Sequence, residues 1–326
     1  MRHFFGTIRD FRDVRATRTV YAIVTRLALL VPLCLATAAY ADKAPADEAM
    51  RFDYAKTASV PAMAGGVLRK ARCCDVSEWK LSSPTAGGSS EIELTMIVPL
   101  TKGRHPTVLW LHREGAEVRR AMFVQEAEAL AASGIASLLV ELPFKQPYVH
   151  RADNNAGDAE VIRNAVIDAR RAIDWAATRP EFNVEKLAVV GHRYGAWTAA
   201  LLVGVDQRVD AAVLMSPPGK PSGWLQVTEQ PKAKAFRESF DRANWVAYLS
   251  AIEPLDPEKW IKYAAPAKLH FQFASSDAWV QTLEQVDLFR AATLPKSRQM
   301  FDSDELLNED AKKDRQTWLK RTLTGK

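Results

Sequence analysis

The chain has 326 residues, 48% of them hydrophobic, and a formal net charge of +5. That length and apolar content suit one large globular domain and exclude a disordered or fibrous chain. Residues 1–41 contain six Arg and two Asp, a net charge of +4, whereas the remainder contains 38 basic and 37 acidic side chains, a net charge of +1. Because the excess charge belongs to the N-terminus, the folded part lacks the strong positive field of a nucleic-acid-binding protein.

The N-terminal segment has the features of a secretory signal. A basic region ends at Arg26, an apolar run follows over Leu27–Leu35, and Ala39–Ala41 forms an A-x-A cleavage site. We therefore expect residues 1–41 to be removed, so that the protein is periplasmic or secreted and begins at Asp42. The apolar run is too short for a comfortable membrane span, although an uncleaved N-terminal membrane anchor is the alternative.

The next segment, residues 42–75, has no clear periodicity, and we expect an irregular extension before a single domain over 76–326. Two adjacent cysteines, Cys73 and Cys74, lie at the end of this extension. A disulfide between neighbours is strained, so two free or partly buried thiols are expected. No spacing of His and Cys indicates a metal site, and no glycine-rich loop indicates a nucleotide or another cofactor.

From residue 78 onwards the pattern predicts an α/β domain. Glu78–Ser82 and Glu91–Pro99 are strand-like and separated by turn residues, which predicts a β-hairpin. Continuous apolar strands then alternate with amphipathic helices, a pattern typical of a mostly parallel central sheet covered by helices on both faces. The predicted strands are Thr107–His112, Ala136–Glu141, Lys186–Gly191, Ala211–Met215 and Leu269–Ala274.

Three further segments complete the domain. A helix is predicted over Asp158–Arg179, where Ile162, Val166, Ala169, Ile173 and Ala176 share one face. Residues 217–260 are rich in Trp, Lys and Pro, and we expect an irregular lid insertion over the carboxyl edge of the sheet. A last helix is predicted over Glu309–Thr322.

The sequence Gly191-His192-Arg193-Tyr194-Gly195 lies between a predicted strand and a predicted helix. Small residues on both sides of a central position, in that context, are typical of a nucleophile elbow. Here the chain resembles the α/β-hydrolase superfamily, in particular its dienelactone hydrolase and acetyl-xylan-esterase-like members. The resemblance covers most of residues 78–322, including TVLWLH, EAEALAASGIASLLVELP and DARRAIDWAATRPEFNVEKLAVVGH.

The resemblance implies a catalytic triad, and the chain departs from it twice. The elbow centre, Ser or Cys in the family, is Arg193, and a guanidinium cannot attack a carbonyl. Asp277 matches the acid. No His follows it, and the base position carries Glu305, or Asp304 if the alignment shifts by one residue. The oxyanion loop has Arg113 where the family has Gly.

These departures predict a pseudoenzyme with a degenerate triad. We expect Arg193 to ion-pair with Asp277 and with Glu305 or Asp304. Such a group either belongs to a site for an anionic or sugar-like small molecule, lined by Arg113, Arg193, Tyr194 and Asp277, or is a salt bridge that fills a former site. Three functions therefore remain open: a non-catalytic protein that binds a small ligand or partner, an active carboxylic-ester hydrolase with an unrecognised constellation, and a purely structural or interaction protein.

Overall fold

A computed structural model of the chain gives the arrangement of most of the expected domain. The predicted leader, its cleavage site and the alternative membrane anchor lie outside the described residues. Residues 41–326 group into one compact unit. The residues that the structure describes are 43–56, 62–85, 88–115, 117, 119–144 and 156–325.

Nine strands of the described residues form one sheet, in the order β1-β2-β3-β5-β4-β6-β7-β8-β9. The strands β1, β2, β3 and β5 pair antiparallel, and the pairs from β5 through β4 to β9 are parallel. The mostly parallel sheet predicted from the sequence is therefore confirmed. The strand bounds are β1 (Ala62–Lys70), β2 (Cys74–Thr85), β3 (Gly88–Pro99), β4 (His105–Leu111), β5 (Ala136–Val140), β6 (Phe182–His192), β7 (Ala211–Met215), β8 (Lys268–Ala274) and β9 (Lys296–Phe301).

Helices cover both faces of this sheet. The predicted long helix is present as α3, and all five side chains expected on its inner face are buried. Among the helices of the described ranges, none combines the length and apolar character needed to cross a bilayer. The helix bounds are α1 (Ala46–Ala49), α2 (Val124–Ala131), α3 (Gly157–Ala177), α4 (Tyr194–Val205), α5 (Pro221–Val227), α6 (Pro231–Glu238), α7 (Arg242–Ile252), α8 (Pro257–Trp260), α9 (Thr282–Ala291) and α10 (Glu309–Thr324).

Alternate residues of the central strands supply two separate cores. Leu109 and Leu111 of β4 pack on the face that carries α3 and α4, and Val108 and Trp110 pack on the face that carries α2 and α10. Both sets are fully buried. Burial on both faces is the reason that these strands are apolar without alternation, which made them visible in the sequence.

Three segments differ from the expectations. The extension over 42–75, expected to be irregular, contains α1 and the strand β1. The insertion over 217–260, also expected to be irregular, is largely helical, with α5 to α8. Its prolines misled the sequence reasoning because three of them stand in the first turn of a helix, where Pro is well tolerated. The helix α9 and the edge strand β9 were not predicted. Five of the six residues of β9 are exposed or partly exposed, so this strand lacks an apolar pattern.

The two cysteines are free thiols. Their Sγ atoms lie 3.1 Å apart, and Cys74 is fully buried whereas Cys73 is partly exposed. Burial raises the pKa of the Cys74 thiol to about 12. Cys74 is therefore protonated at neutral pH.

Two carboxyl groups, those of the partly buried Glu284 and the buried Asp256, hold the start of the helical insertion. Glu284 of α9 accepts hydrogen bonds from the backbone N–H groups of Gly219 and Lys220, both at 2.8 Å. Asp256 accepts from the backbone N–H of Ser222 at 3.0 Å and from its hydroxyl. Burial raises the pKa of Glu284 to about 7 and that of Asp256 to about 6, against the backbone hydrogen bonds that favour the charged forms.

This arrangement predicts that stability falls as the pH rises. A carboxyl whose pKa is raised by folding stabilises the fold while it is protonated, and the stabilisation is lost as the pH passes through the folded pKa. We expect the free energy of unfolding to decrease between about pH 5 and pH 7.5, with Glu284 contributing on the order of 1–2 kcal/mol. Denaturant titrations across this range measure it.

Glu284→Gln should flatten that dependence, since the amide keeps a carbonyl acceptor but does not ionise. Asp287→Asn on the same helix is the matched control, because the Asp287 side chain is 49% exposed and, among the described residues, its ion pair is with Arg290 of its own helix. An unchanged pH slope in Glu284→Gln would contradict the assignment.

Candidate functional site

Arg193 stands alone between the end of β6 and the start of α4, with φ 52° and ψ −109°. A positive φ is strained for a residue with a side chain, so the surrounding packing has to impose it. A Cβ on Gly195 would lie 2.0 Å from the carbonyl oxygen of Leu111, and a Cβ on Gly191 would lie 2.2 Å from that of Gly195. The two glycines thus permit the close approach of strand and helix, and the predicted elbow geometry is present.

The guanidinium of Arg193 is bound by Glu114. Its Nε donates to Glu114 Oε1 at 2.7 Å, and its Nη2 lies 2.6 Å from the same oxygen. Both residues are buried, at 6% and 5% exposure, so the pair is largely shielded from solvent. The ring of Trp279 lies against the guanidinium, with 4.7 Å between the ring centroid and Cζ.

The expected ion pairs of Arg193 are therefore wrong. Among the described residues, the carboxylate that ion-pairs with Arg193 is that of Glu114, and Asp277, Asp304 and Glu305 form no ion pair with it. The physical reason is the strand order. Leu111 of β4 pairs directly with Gly191 of β6, so the residues that follow these two strand ends are neighbours.

Glu114 also reaches the backbone next to the elbow centre. The N–H of Tyr194 points to Glu114 Oε2 at 3.5 Å, a long contact. That N–H follows the elbow centre, and in a serine hydrolase the equivalent group belongs to the oxyanion hole. This backbone group thus faces a carboxylate of the protein itself. Arg113, which stands in the oxyanion loop where the family has Gly, donates from Nη1 to the carbonyl oxygen of Glu114 at 3.3 Å.

The loop that carries Glu114 is held at both ends. His112 donates from Nδ1 to the carbonyl oxygen of Arg113 at 2.7 Å, and its Nε2 accepts from the N–H of Leu142 at 2.8 Å. Burial lowers the pKa of His112, which keeps the ring neutral and consistent with these roles. The N–H of Gly115 donates to the carbonyl oxygen of Phe144 at 3.0 Å. Glu114 is therefore held in place by the fold.

Asp277 follows β8 as expected. Its Oδ1 accepts from the N–H groups of Trp279 and Val280 at 2.8 and 2.9 Å. Its Oδ2 is buried and has no hydrogen-bond partner among the described residues. Burial raises the pKa of Asp277, while the charge of Arg193 acts in the opposite direction. An unsatisfied buried acceptor is costly and marks a position where a donor from water or a ligand would bind.

Of the two residues considered for the base position, Glu305 is the one next to the elbow. Its carbonyl oxygen lies 2.8 Å from Nε2 of His192, which directly precedes Arg193. Asp304 is exposed and accepts from the N–H of Leu306 in its own loop. His192 is fully buried, and burial lowers its pKa to about 3, so it is a neutral packing residue.

The described part of the site holds no nucleophile–base pair. No described His hydrogen-bonds to Asp277, and the elbow centre has no acidic proton. Nor do the described residues contain a cluster of three or more His, Cys, Asp or Glu arranged to hold a metal ion. Sequence reasoning missed Glu114. The sequence did contain a signal for this contact: an acidic residue, Glu114, stands in the oxyanion loop and a basic residue, Arg193, stands at the elbow centre.

A buried ion pair is sensitive to the loss of one partner. We expect Glu114→Leu or Arg193→Met alone to lower the free energy of unfolding by about 3–5 kcal/mol, because each leaves an uncompensated buried charge. The double variant should lie within about 1 kcal/mol of the natural protein, since both charges are then absent. Chemical denaturation of the four proteins measures this cycle.

Asp310→Ala is the matched control for that cycle. It breaks an ion pair with Lys313 in which both side chains are about three-quarters exposed, and a loss below about 0.5 kcal/mol is expected. If Glu114→Leu were no more costly than this control, the burial argument would be wrong.

No family model and no curated protein matches the chain at a significant level. Solved structures do match. Acetyl xylan esterase 1 from Thermoanaerobacterium sp. JW/SL YS485 superposes with a TM-score of 0.69 at 12% identity, over 86% of this chain and 95% of that one. An acetyl xylan esterase from Paenibacillus sp. R4 gives 0.69 at 15% identity, over 85% and 93%. A glucuronoyl esterase from Solibacter usitatus gives 0.59 at 13% identity, over 83% and 88%.

These matches cover nearly the whole length of their counterparts, and at such low identity they establish the architecture alone. The mostly parallel sheet and the strand–elbow–helix geometry at Arg193 agree with these matches. The chain has the α/β-hydrolase fold, as the sequence resemblance implied.

Proposed function

We propose that the protein is an α/β-hydrolase-fold protein whose elbow is non-hydrolytic and that binds a small neutral, hydroxyl-bearing ligand beside Asp277. The observation that carries the proposal is the buried ion pair between Arg193, at the elbow centre, and Glu114, in the oxyanion loop. The pair puts a guanidinium in the place of the nucleophile and a carboxylate in the place of the oxyanion.

Three groups oppose ester hydrolysis at the elbow. Arg193 has no proton to lose at working pH and cannot form an acyl intermediate. Glu305 has a carboxylate in place of the imidazole, whose two ring nitrogens bind the acid and the nucleophile at the same time. Glu114 would repel the negative charge that develops on the carbonyl oxygen of a tetrahedral intermediate, where a hydrolase supplies hydrogen-bond donors.

The charges near the elbow favour a neutral ligand over an anionic one. Glu114 already compensates Arg193, and the negative charge of Glu305 is felt by Asp277. A ligand anion would be repelled by these two carboxylates. A hydroxyl group would instead donate to the unsatisfied Oδ2 of Asp277. The structural neighbours named as acetyl xylan and glucuronoyl esterases make a sugar hydroxyl the first group to test.

The loss of hydrolysis is tested by restoring the triad. Asp277→Ala should leave any turnover of 4-nitrophenyl acetate by the natural protein unchanged. The triple variant Arg193→Ser, Glu114→Gly, Glu305→His should gain turnover, because it restores nucleophile, oxyanion space and base. Adding Asp277→Ala should remove the gain. Turnover by the natural protein that Asp277→Ala abolishes would overturn the proposal.

Ligand binding is tested with acetylated xylo-oligosaccharides as the probe, using calorimetry. In Asp277→Asn, the side-chain carbonyl oxygen takes the place of Oδ1, and an NH2 donor takes the place of the Oδ2 acceptor. We therefore expect the oligosaccharide to bind at least about tenfold more weakly. The control Asp304→Asn lies on the neighbouring exposed loop and should bind normally. Absence of binding by the natural protein would favour the alternative of a purely structural or interaction protein.

We also propose that residues 1–41 direct export. Expressed with its leader in a Gram-negative bacterium, the protein should be recovered from the periplasm with Asp42 as its first residue, as measured by intact mass. Ala41→Leu should block cleavage, because the site requires a small side chain. Natural protein that stays uncleaved in the membrane fraction would support the anchor alternative.

A further inference from the structure

A second group of chemically reactive side chains lies between the edge of the sheet and α10. The Oγ of Ser297 in β9 is 2.8 Å from Nδ1 of His270, its cross-strand partner in the neighbouring strand β8. The Nε2 of the same ring is 2.6 Å from Oδ2 of Asp314 in α10. Ser, His and Asp are thus in line, each within hydrogen-bond distance of the next.

The directions of these hydrogen bonds are fixed by a neighbouring amide. The Nε2 of Gln272 donates to the same Asp314 oxygen at 2.7 Å, so that oxygen acts as an acceptor. His270 then donates from Nε2 to Asp314, and its Nδ1 is left as the acceptor for the hydroxyl proton of Ser297. This is the tautomer that a general base requires.

The base is also held rigidly. Gln272 donates to the carbonyl oxygen of Ala311 at 2.7 Å, and Arg315 donates to Gln272 Oε1 at 3.5 Å. Arg315 is itself bound by Glu126, with Nε to Oε2 at 2.7 Å. The indole of Trp318 stacks on the imidazole with 5.3 Å between centroids and 18° between planes. A positioned base, oriented by a third group, is the arrangement that activates a hydroxyl nucleophile.

The serine end of the relay reaches the surface. His270 and Gln272 are buried, whereas Ser297 is partly exposed on the edge strand. The backbone N–H of Leu269 in β8 donates to the carbonyl oxygen of Pro295, just before β9. In a parallel pair with this register, the N–H groups of β9 point alternately towards β8 and away from it. The N–H of Arg298 therefore points away from β8, towards the open edge of the sheet. That N–H directly follows the serine, as the oxyanion donor follows the nucleophile in an elbow. The other contact of the hydroxyl is the carbonyl oxygen of Leu269, at 3.4 Å.

We infer that Ser297 is a nucleophile towards small, activated acyl and phosphonyl esters, with His270 as its base and Asp314 as the positioning residue. In the acyl reaction, Ser297 Oγ bonds to the carbonyl carbon while its proton passes to His270 Nδ1. The bond from carbon to the leaving oxygen breaks, and that oxygen takes the proton from Nδ1. Water then attacks the acyl-serine by the reverse proton path and releases the acid. This inference concerns other residues than the elbow and goes beyond the proposed function.

The experiment uses a fluorophosphonate probe on the full mature protein. Ser297 Oγ should displace fluoride at phosphorus, with the hydroxyl proton leaving through His270 to solvent. Peptide mass spectrometry should place the label on Ser297. Ser297→Ala should abolish labelling, and Asp314→Asn should slow it by about 10²-fold or more, because an amide that donates to Nε2 forces the wrong tautomer.

The matched control is Ser250→Ala, since Ser250 is exposed and, among the described residues, its hydroxyl donates to the carbonyl oxygen of Val246 and not to an imidazole. It should label at the natural rate. Unfolding temperatures of all variants confirm that the fold is kept. A label elsewhere, no label, or equal rates in Asp314→Asn and the natural protein would each overturn the inference.

A second measurement covers the case in which Asp314→Asn does not fold. Ser297→Cys places a thiol beside Nδ1, and His270 should then accelerate its alkylation by iodoacetamide about tenfold over the same thiol in Ser297→Cys, His270→Gln. Equal alkylation rates at position 297 would overturn the inference. Both readouts are covalent labels at position 297, so neither depends on turnover at the elbow or on Asp277.

Discussion

The ion pair between Arg193 and Glu114 determines what the elbow can do. It joins the ends of two hydrogen-bonded strands, β4 and β6, at the point where the chain switches from one side of the sheet to the other. In parallel α/β sheets this crevice is the usual place for ligands. Here two opposite charges occupy it, and the cost of separating them in a buried place keeps both in position.

The pair also explains why the Arg at the elbow centre and the Glu in the oxyanion loop belong together. An Arg at the elbow without a partner would be an isolated buried charge, and an acidic residue in the oxyanion loop without a partner would be another. Together they form one neutral, hydrogen-bonded unit. Asp277 keeps an acceptor oxygen that no described residue satisfies.

The sequence was sufficient for the parts of the fold that are buried on both sides. The apolar strands and the inner face of α3 were predicted because burial dictates their composition. The strand β9 and the helices of the insertion were missed, because exposed or proline-initiated segments lack that pattern. The elbow was found from its glycines, but the partner of Arg193 was not, because a contact across 79 positions depends on strand order. The triplet at Ser297 was hidden for the same reason, since β8, β9 and α10 meet only in the fold.

The two glycines that flank Arg193 have a consequence for the interpretation of sequence motifs. Neither tolerates a Cβ, because backbone atoms lie within about 2 Å of where it would be. That constraint arises from the contact of β4, β6 and α4, and it persists when the nucleophile is absent. A search that recognises an elbow by its glycines therefore detects how closely a helix approaches a strand. Such a search identifies the fold, and the chemistry of the site depends on the residue between the two glycines.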